Sequence, residues 1–150
     1  MYSTLSEAHF ERMDAEAKEL RTRAAAQAVF LTDRGGNILA RQAERELAVE
    51  DNLLALSAGS FFASQQVAMM LGEPAFESLT ERGRAVSVHM RALAGEHLLL
   101  VIFGPDTNLG LVKLGAEDAV RRLQDTLTEP SGGAAPAFEI DFSREVFLRR

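Results

Sequence analysis

Residues 28–40 read AVFLTDRGGNILA, two apolar segments joined by a polar, glycine-rich stretch. Because glycine and asparagine tolerate a positive φ, the residues 34–37 (RGGN) are typical of a tight turn. A short turn between two apolar segments predicts a β-hairpin, with strands at 28–32 and 37–42. The two strands must be antiparallel, since a parallel pair needs a much longer connection.

Three more strands are predicted after residue 75. Residues 76–82 are polar, 86–93 alternate between apolar and polar side chains, and 97–103 are apolar on both faces. The tight turn at 94–96 makes the last two strands antiparallel neighbours. A strand that is apolar on both faces must be covered on both. We therefore expect 28–32 and 97–103 in the middle of the sheet, and 37–42 and 76–82 at its edges.

Apolar residues three and four apart predict helices at both ends of this region. The first helix spans about 5–25, with Thr4 and Glu7 as a capping box and an apolar stripe of Phe10, Met13, Ala17, Leu20 and Ala24. The last helix ends before Pro130, and its stripe contains Ala116, Ala119, Val120, Leu123 and Leu127. A middle helix is capped by Asp51 or Asn52, runs to Leu71 and ends at Gly72.

The middle helix, 51–71, is apolar or small on almost every side. One interpretation is a core helix that is buried all round. The other is a helix with one face on its own sheet and the opposite face on a partner, because a monomer rarely exposes a large apolar patch.

Composition limits the class of protein. A chain of 150 residues with 47% hydrophobic and 25% charged residues is typical of one globular domain. The absence of cysteine excludes disulfides, thiolate zinc sites and a cysteine nucleophile. A net charge of -6 argues against binding to nucleic acid. The longest strongly apolar run, 98–103, is too short to cross a membrane, and the N-terminus lacks a signal peptide. We expect a cytoplasmic protein with no membrane insertion.

No pattern of catalytic or metal-binding residues stands out. The sequence has no phosphate loop, no G-x-G-x-x-G and no G-x-S-x-G, so we expect no catalytic residue, no cofactor and no active site of its own. His9 lies off the apolar stripe of the first helix, while His89 and His97 lie on neighbouring strands where they can meet. A histidine pair without further ligands does not make a metal site, so we expect ordinary surface or sheet histidines and no metal.

The order of helix, two strands, helix, three strands and helix resembles the roadblock (dynein light chain-like) family. The resemblance rests on 28–36 with 38–39, on 56–59 leading to 71–73, and on 99–103 with 109–112, and it covers about 5–128. Within the family it is closest to the bacterial MglB group, partners of the Ras-like GTPase MglA. It implies an α+β fold with a five-stranded antiparallel sheet in the order 2-1-5-4-3. The middle helix lies on one face, and the other two helices lie on the opposite face.

The resemblance also implies a function. Such a protein forms a homodimer through helix 51–71 and the edge strand 76–82, and two copies bind one small Ras-like GTPase in its GTP form. It stimulates GTP hydrolysis by positioning the switch regions, without an inserted arginine. The predicted GTPase and dimer interface contains Ala55, Ala58, Gly59, Phe62, Ala63 and Gln66. Ala58→Arg or Phe62→Arg should then abolish dimerisation or GTPase binding in a chain that still folds, whereas unfolding would favour the core-helix interpretation.

Two other functions stay open. A roadblock adaptor would place a GTPase or motor component without changing its chemistry, and a small-molecule sensor of similar fold would need a ligand cavity. Arg34 at the hairpin tip, and Arg82 and Arg84 on either side of Gly83, have the reach of an arginine finger or serve as solubility charges. The resemblance favours the second role.

The chain divides into a domain at 1–128, a Pro/Gly/Ala-rich linker at 129–136 and an apolar tail at 137–150. The tail either folds onto its own domain or its dimer mate, or acts as a tethered motif that binds the GTPase. Its predicted contact residues are Phe138, Ile140, Phe142, Val146 and Phe147.

Overall fold

The computed structural model describes residues 5–94 and 96–128, without the side chain of Thr128. Its elements follow the predicted order: α1 Glu7–Arg23, β1 Ala28–Thr32, β2 Ile38–Ala43, α2 Glu50–Met70, β3 Ser78–Arg82, β4 Ser87–Ala92, β5 Leu98–Phe103 and α3 Leu109–Thr128. The predicted linker at 129–136 and tail at 137–150 lie outside the described residues.

The five strands form one antiparallel sheet in the order β2-β1-β5-β4-β3. In its middle, Phe30 of β1 pairs with Arg41 of β2 on one side and with Leu100 of β5 on the other. Every residue of β1 and β5 is buried, while β2 and β3 form the edges. The predicted sheet order and the two central strands are confirmed.

Two apolar cores lie on opposite faces of the sheet, because successive side chains of a strand point to opposite sides. Val29 and Leu31 belong to the core shared with α1 and α3, whereas Phe30 belongs to the core under α2. One helix therefore covers one face and a helix pair covers the other, as predicted. The pair is joined at its surface by ion pairs from Arg122 to Glu16 and from Arg23 to Asp118, each 2.8 Å long.

The start of α1 differs from the prediction. Ser6 is the N-cap, and its hydroxyl accepts a hydrogen bond from the backbone N–H of His9 at 3.3 Å. In return, the backbone N–H of Ser6 donates to Nδ1 of His9 at 2.9 Å. This reciprocal cap buries His9, which the apolar pattern placed at the surface, while Phe10 of the predicted stripe is 40% exposed. The proposed capping box of Thr4 and Glu7 is wrong because Glu7 is already the first helical residue.

The start of α2 also differs, whereas its end is confirmed. Its N-cap is Val49 in the left-handed conformation, so neither Asp51 nor Asn52 caps it. At the C-terminus, Gly72 adopts φ 84°, and its N–H donates to the carbonyl of Met69 at 3.1 Å. A left-handed residue that closes the last turn in this way is the usual role of glycine after a helix.

Ala25 occupies the same kind of position after α1, at φ 50°. Its N–H donates to the carbonyl of Thr22, and the N–H of Ala26 donates to that of Arg21. Because a Cβ in this conformation is unfavourable by about 1 kcal/mol, Ala25→Gly is expected to raise the free energy of unfolding by about 0.5–1 kcal/mol. Urea unfolding measures this change. Ala24→Gly, at a buried right-handed position, is the control and should lower stability; an equal loss at Ala25 would contradict the prediction.

Candidate interaction surface on α2

The helix α2 has one buried side and one open side. Its buried residues are Leu54, Ala58, Phe61 and Ala68, and the first three belong to the core cluster under the helix. The opposite side, called the open face below, is a stripe of exposed residues three and four apart: Ala55, Leu56, Gly59, Ser60, Ala63, Val67 and Met70.

The open face is uncharged and partly apolar. No charged residue occurs from Asn52 to Gly72, and Leu56 and Met70 are 74% and 70% exposed. Between them, the small residues allow the backbone of another chain to approach closely. A Cβ added at Gly59 would meet no atom within 4 Å. Such a surface is unusual on a monomer, which makes the open face the candidate interaction site of the described chain.

The length and apolar composition of α2 also match those of a membrane-spanning helix. By length and composition alone, it is the one helix in the described part of the chain that is long and apolar enough to cross a membrane. The sequence-based test for a spanning segment considered only 98–103 and missed this helix. Leu54, Ala58 and Phe61 pack into the core between α2 and the sheet, so α2 is part of this fold.

Arg34 lies at the rim of the open face and contacts two other elements. Its Nη1 donates to Oε1 of Glu96 at 2.9 Å, and its Cζ lies 4.6 Å from the ring centroid of Phe62. These contacts fix the guanidinium against the domain. Arg82 and Arg84, by contrast, are exposed around the turn between β3 and β4.

The last part of α2 is joined to the segment that precedes the edge strand β3. The side-chain amide of Gln65 donates to the carbonyl of Phe76 at 2.9 Å and accepts from its N–H at 2.8 Å. Because these two bonds occupy the backbone of Phe76, β3 begins later than predicted, at Ser78. These two bonds tie α2 to the segment that leads into the edge strand β3.

Three solved structures are similar to this chain over most of its length. Myxococcus xanthus MglB is 26% identical, with a TM-score of 0.80, over 88% of this chain and 99% of its own. The gliding protein MglB from Thermus thermophilus is 28% identical, with a TM-score of 0.78, over 84% and 96%. A structure described as MglB with tetrameric arrangement is 30% identical, with a TM-score of 0.76, over 85% and 96%.

The chain belongs to the MglB group of the roadblock family. No family model matches the sequence, and no curated protein matches it either. The assignment therefore rests on the structural comparison, which confirms the resemblance found in the sequence.

The predicted interface residues of this MglB-family chain fall into three groups. Ala55, Gly59 and Ala63 lie on the open face, while Phe62 and Gln66 are half-buried at its rim. The assignment of Ala58 is wrong, because its side chain is 1% exposed and faces the sheet. Four more exposed residues lie on the open face at helical spacing from these and were not among the predicted ones: Leu56, Ser60, Val67 and Met70. The predicted tail contacts lie outside the described residues: Phe138, Ile140, Phe142, Val146 and Phe147.

The histidines do not form a cluster. The register of β4 and β5 pairs His89 with Val101, four residues beyond His97, so the two histidines, which lie where they could have met, do not pair. Nδ1 of His89 lies 2.7 Å from the hydroxyl of Thr80, and Nδ1 of His97 lies 3.0 Å from the carbonyl of Ala94. Within 5–94 and 96–128, no group of three or more histidine, aspartate or glutamate residues is placed to hold a metal ion.

The buried His89 is expected to make the stability of this fold depend on pH. Burial lowers its pKa from 6.5 to about 4, and the positive charges of Lys113 and Arg91 add to the effect, against an opposing effect of Glu117. Between these two pH values the unfolded chain binds a proton at His89 that the folded chain does not. The free energy of unfolding therefore falls as pH decreases through this window, by up to about 1.4 kcal/mol per pH unit from this group.

We expect His89→Gln to reduce the loss of stability between pH 6.5 and pH 4, since glutamine carries no titrating proton. Denaturant unfolding at several pH values measures the slope, and His97→Gln is the control for removal of a histidine. The same slope in wild type and His89→Gln would contradict the prediction.

Proposed function

We propose that this chain is a homodimeric regulator of a small Ras-like GTPase of the MglA type. Two copies bind one GTPase in its GTP form and stimulate hydrolysis. The observation that supports this proposal most directly is the open face of α2, where exposed Leu56, Val67 and Met70 surround a row of small, uncharged residues. Such a face fits protein partners better than small molecules.

The dimer uses the open face and the edge strand β3. In a dimer with two-fold symmetry, the same patch serves both subunits, so the two α2 helices lie antiparallel across the axis. A single GTPase placed over that axis blocks the symmetry-related position. This geometry is the reason for a stoichiometry of two copies to one GTPase.

Stimulation acts by positioning. The chain holds the GTPase's own residues and switch regions in the arrangement for hydrolysis, which lowers the barrier without supplying a reacting group. The contacts of Arg34 with Glu96 and Phe62 support a role for that arginine within the domain, away from the transferred phosphate. The protein itself then has no active site.

We place the protein in the cytoplasm, in a process such as cell polarity or gliding motility. The relative from Thermus thermophilus is described as a gliding protein, and this description is the basis for the proposed process.

The proposal is tested by GTP turnover of the small GTPase that co-purifies with the chain, measured with and without it, together with the mass of the complex. Faster turnover and a mass of two chains per GTPase are expected. Binding without a change in turnover would leave the adaptor function, and an absence of binding would contradict both functions.

Deletion of 137–150 tests the proposed contact of the tail with the GTPase. A tethered second contact raises the effective concentration, so we expect its loss to weaken GTPase binding by at least about tenfold. The dimer and the melting temperature of the domain should not change. Titration of the GTPase with the full and shortened chains measures the effect. Equal affinity and equal turnover would contradict a tail contact and favour a tail that belongs to its own dimer.

A further inference from the structure

Three separate elements meet at Arg34. Arg34 itself lies in the turn between β1 and β2, Glu96 precedes β5, and Phe62 lies on α2. The turn is rigid because the carboxylate of Asp33 accepts hydrogen bonds, each 2.9 Å long, from the N–H of Gly35 and from the backbone and side chain of Asn37. A fixed turn presents the guanidinium to α2 in one orientation.

The ring of Phe62 is contacted from two directions. The Arg34 guanidinium lies over it at 4.6 Å, and the ring of Phe61 meets it edge-on, with centroids 5.7 Å apart at 89°. Phe61 is buried in the core and cannot move away. A phenylalanine on a helix has two accessible χ1 rotamers. The cation over its ring and the edge of Phe61 together select one of them.

The charge of Arg34 is balanced at the rim. Its Nη1 forms a 2.9 Å ion pair with Glu96, and both side chains are largely covered, at 25% and 21% exposed. The aromatic ring therefore stands next to the uncharged open face with the Arg34–Glu96 ion pair beside it. This arrangement suits an apolar partner surface, whereas a lone cation at that position would oppose one.

We propose that Arg34 is a positioning residue for self-association: it holds the ring of Phe62 at the rim of the open face, in the orientation that packs against a second copy of this chain. The role rests on the homodimer of the proposed function. It assigns Arg34 to the assembly of the dimer.

A double-mutant cycle in the full chain tests this role, with the dimer dissociation constant measured by sedimentation. We expect Arg34→Gln and Phe62→Leu each to raise the constant by about tenfold, which corresponds to about 1.4 kcal/mol. Because Arg34 acts through the ring, adding Arg34→Gln to Phe62→Leu should cause no further loss. Arg34→Lys keeps a cation over the ring and should restore most of the affinity.

Arg121→Gln is the matched control, since Arg121 is exposed on α3 on the opposite face of the sheet, and it should leave the constant within about twofold. The monomer fold of each variant is checked by circular dichroism below the dissociation constant. Two outcomes would overturn the role of Arg34 while leaving the proposed dimer intact. One is that Arg34→Gln leaves the dimer dissociation constant unchanged, and the other is that the effects of Arg34→Gln and Phe62→Leu on this constant simply multiply. A wild-type chain that stays monomeric would overturn the proposed dimer and this role together.

Discussion

Gly59→Arg is expected to give a chain that is folded but monomeric and that no longer binds or stimulates the GTPase. Gly59 lies in the middle of the open face, and a Cβ at this position has no atom within 4 Å. The arginine side chain therefore fits the isolated domain. In the proposed dimer it places a long cation in the tightest part of the interface, where small residues allow the two helices to approach.

The same substitution should strengthen the helix. Glycine in the interior of α2 is less favourable than arginine by close to 1 kcal/mol, because arginine restricts the unfolded chain and has a high helix propensity. We therefore expect the monomer of Gly59→Arg to be at least as stable as that of wild type in dilute solution. Light scattering reports the mass, urea unfolding the stability, and GTP turnover the function.

Ala58→Arg is the counterpart one residue away, and it should unfold the domain. Ala58 is 1% exposed in the core cluster that also holds Phe30 and Phe61. An arginine there is overpacked and leaves a buried charge without a partner, so we expect a loss of about 4 kcal/mol or more. If Gly59→Arg unfolds as well, α2 is a core helix on all sides. If Gly59→Arg remains dimeric and active, the open face is not the interface.

The contrast between Ala58 and Gly59 shows which feature of α2 the sequence pattern does not determine. The pattern of residues located the helix, its end at Gly72 and the two central strands, because alternation and apolar runs report burial on a sheet directly. It did not assign the sides of α2, since a helix that is apolar or small all round has no polar stripe to mark its outer face. Ala58 and Gly59 are both small and uncharged, so the sequence does not tell which of them faces the sheet. The difference lies in their angular position around the helix.

The errors at helix starts have a related cause. The first N–H groups of every helix need a partner, so a small shift of the helix start changes which residue caps it. Ser6 caps α1 with His9 as its reciprocal partner, and Val49 precedes α2 in a left-handed conformation that propensity disfavours. At α2, the ion pair of Arg41 with Glu50, 2.6 Å long, joins the first turn to β2 and also lowers the pKa of Glu50. Such a long-range contact leaves no local signal in the sequence.

Gly36→Ala is the second substitution with a large expected effect. Gly36 ends the turn between β1 and β2 at φ 88°, and a Cβ there would lie 2.8 Å from the backbone of Leu54 and Ala55. Backbone atoms of α2 cannot rotate away as a side chain would, so the helix must shift on the sheet. We expect the free energy of unfolding to fall by about 3 kcal/mol or more, as the conformational strain and the steric contact add.

Gly72→Ala separates these two causes. Gly72 has nearly the same φ, 84°, but a Cβ there would meet no atom within 4 Å. Its replacement therefore measures the conformational part alone, about 1 kcal/mol, and the excess at Gly36 measures the contact between the turn and α2. Urea unfolding of both variants gives the difference. Equal decreases in the free energy of unfolding for Gly36→Ala and Gly72→Ala would mean that there is no tight steric contact between the turn and α2. A clear excess at Gly36 would mean that the turn carrying Arg34 sets the position of the whole open face, since Ala55, the residue it contacts, belongs to that face.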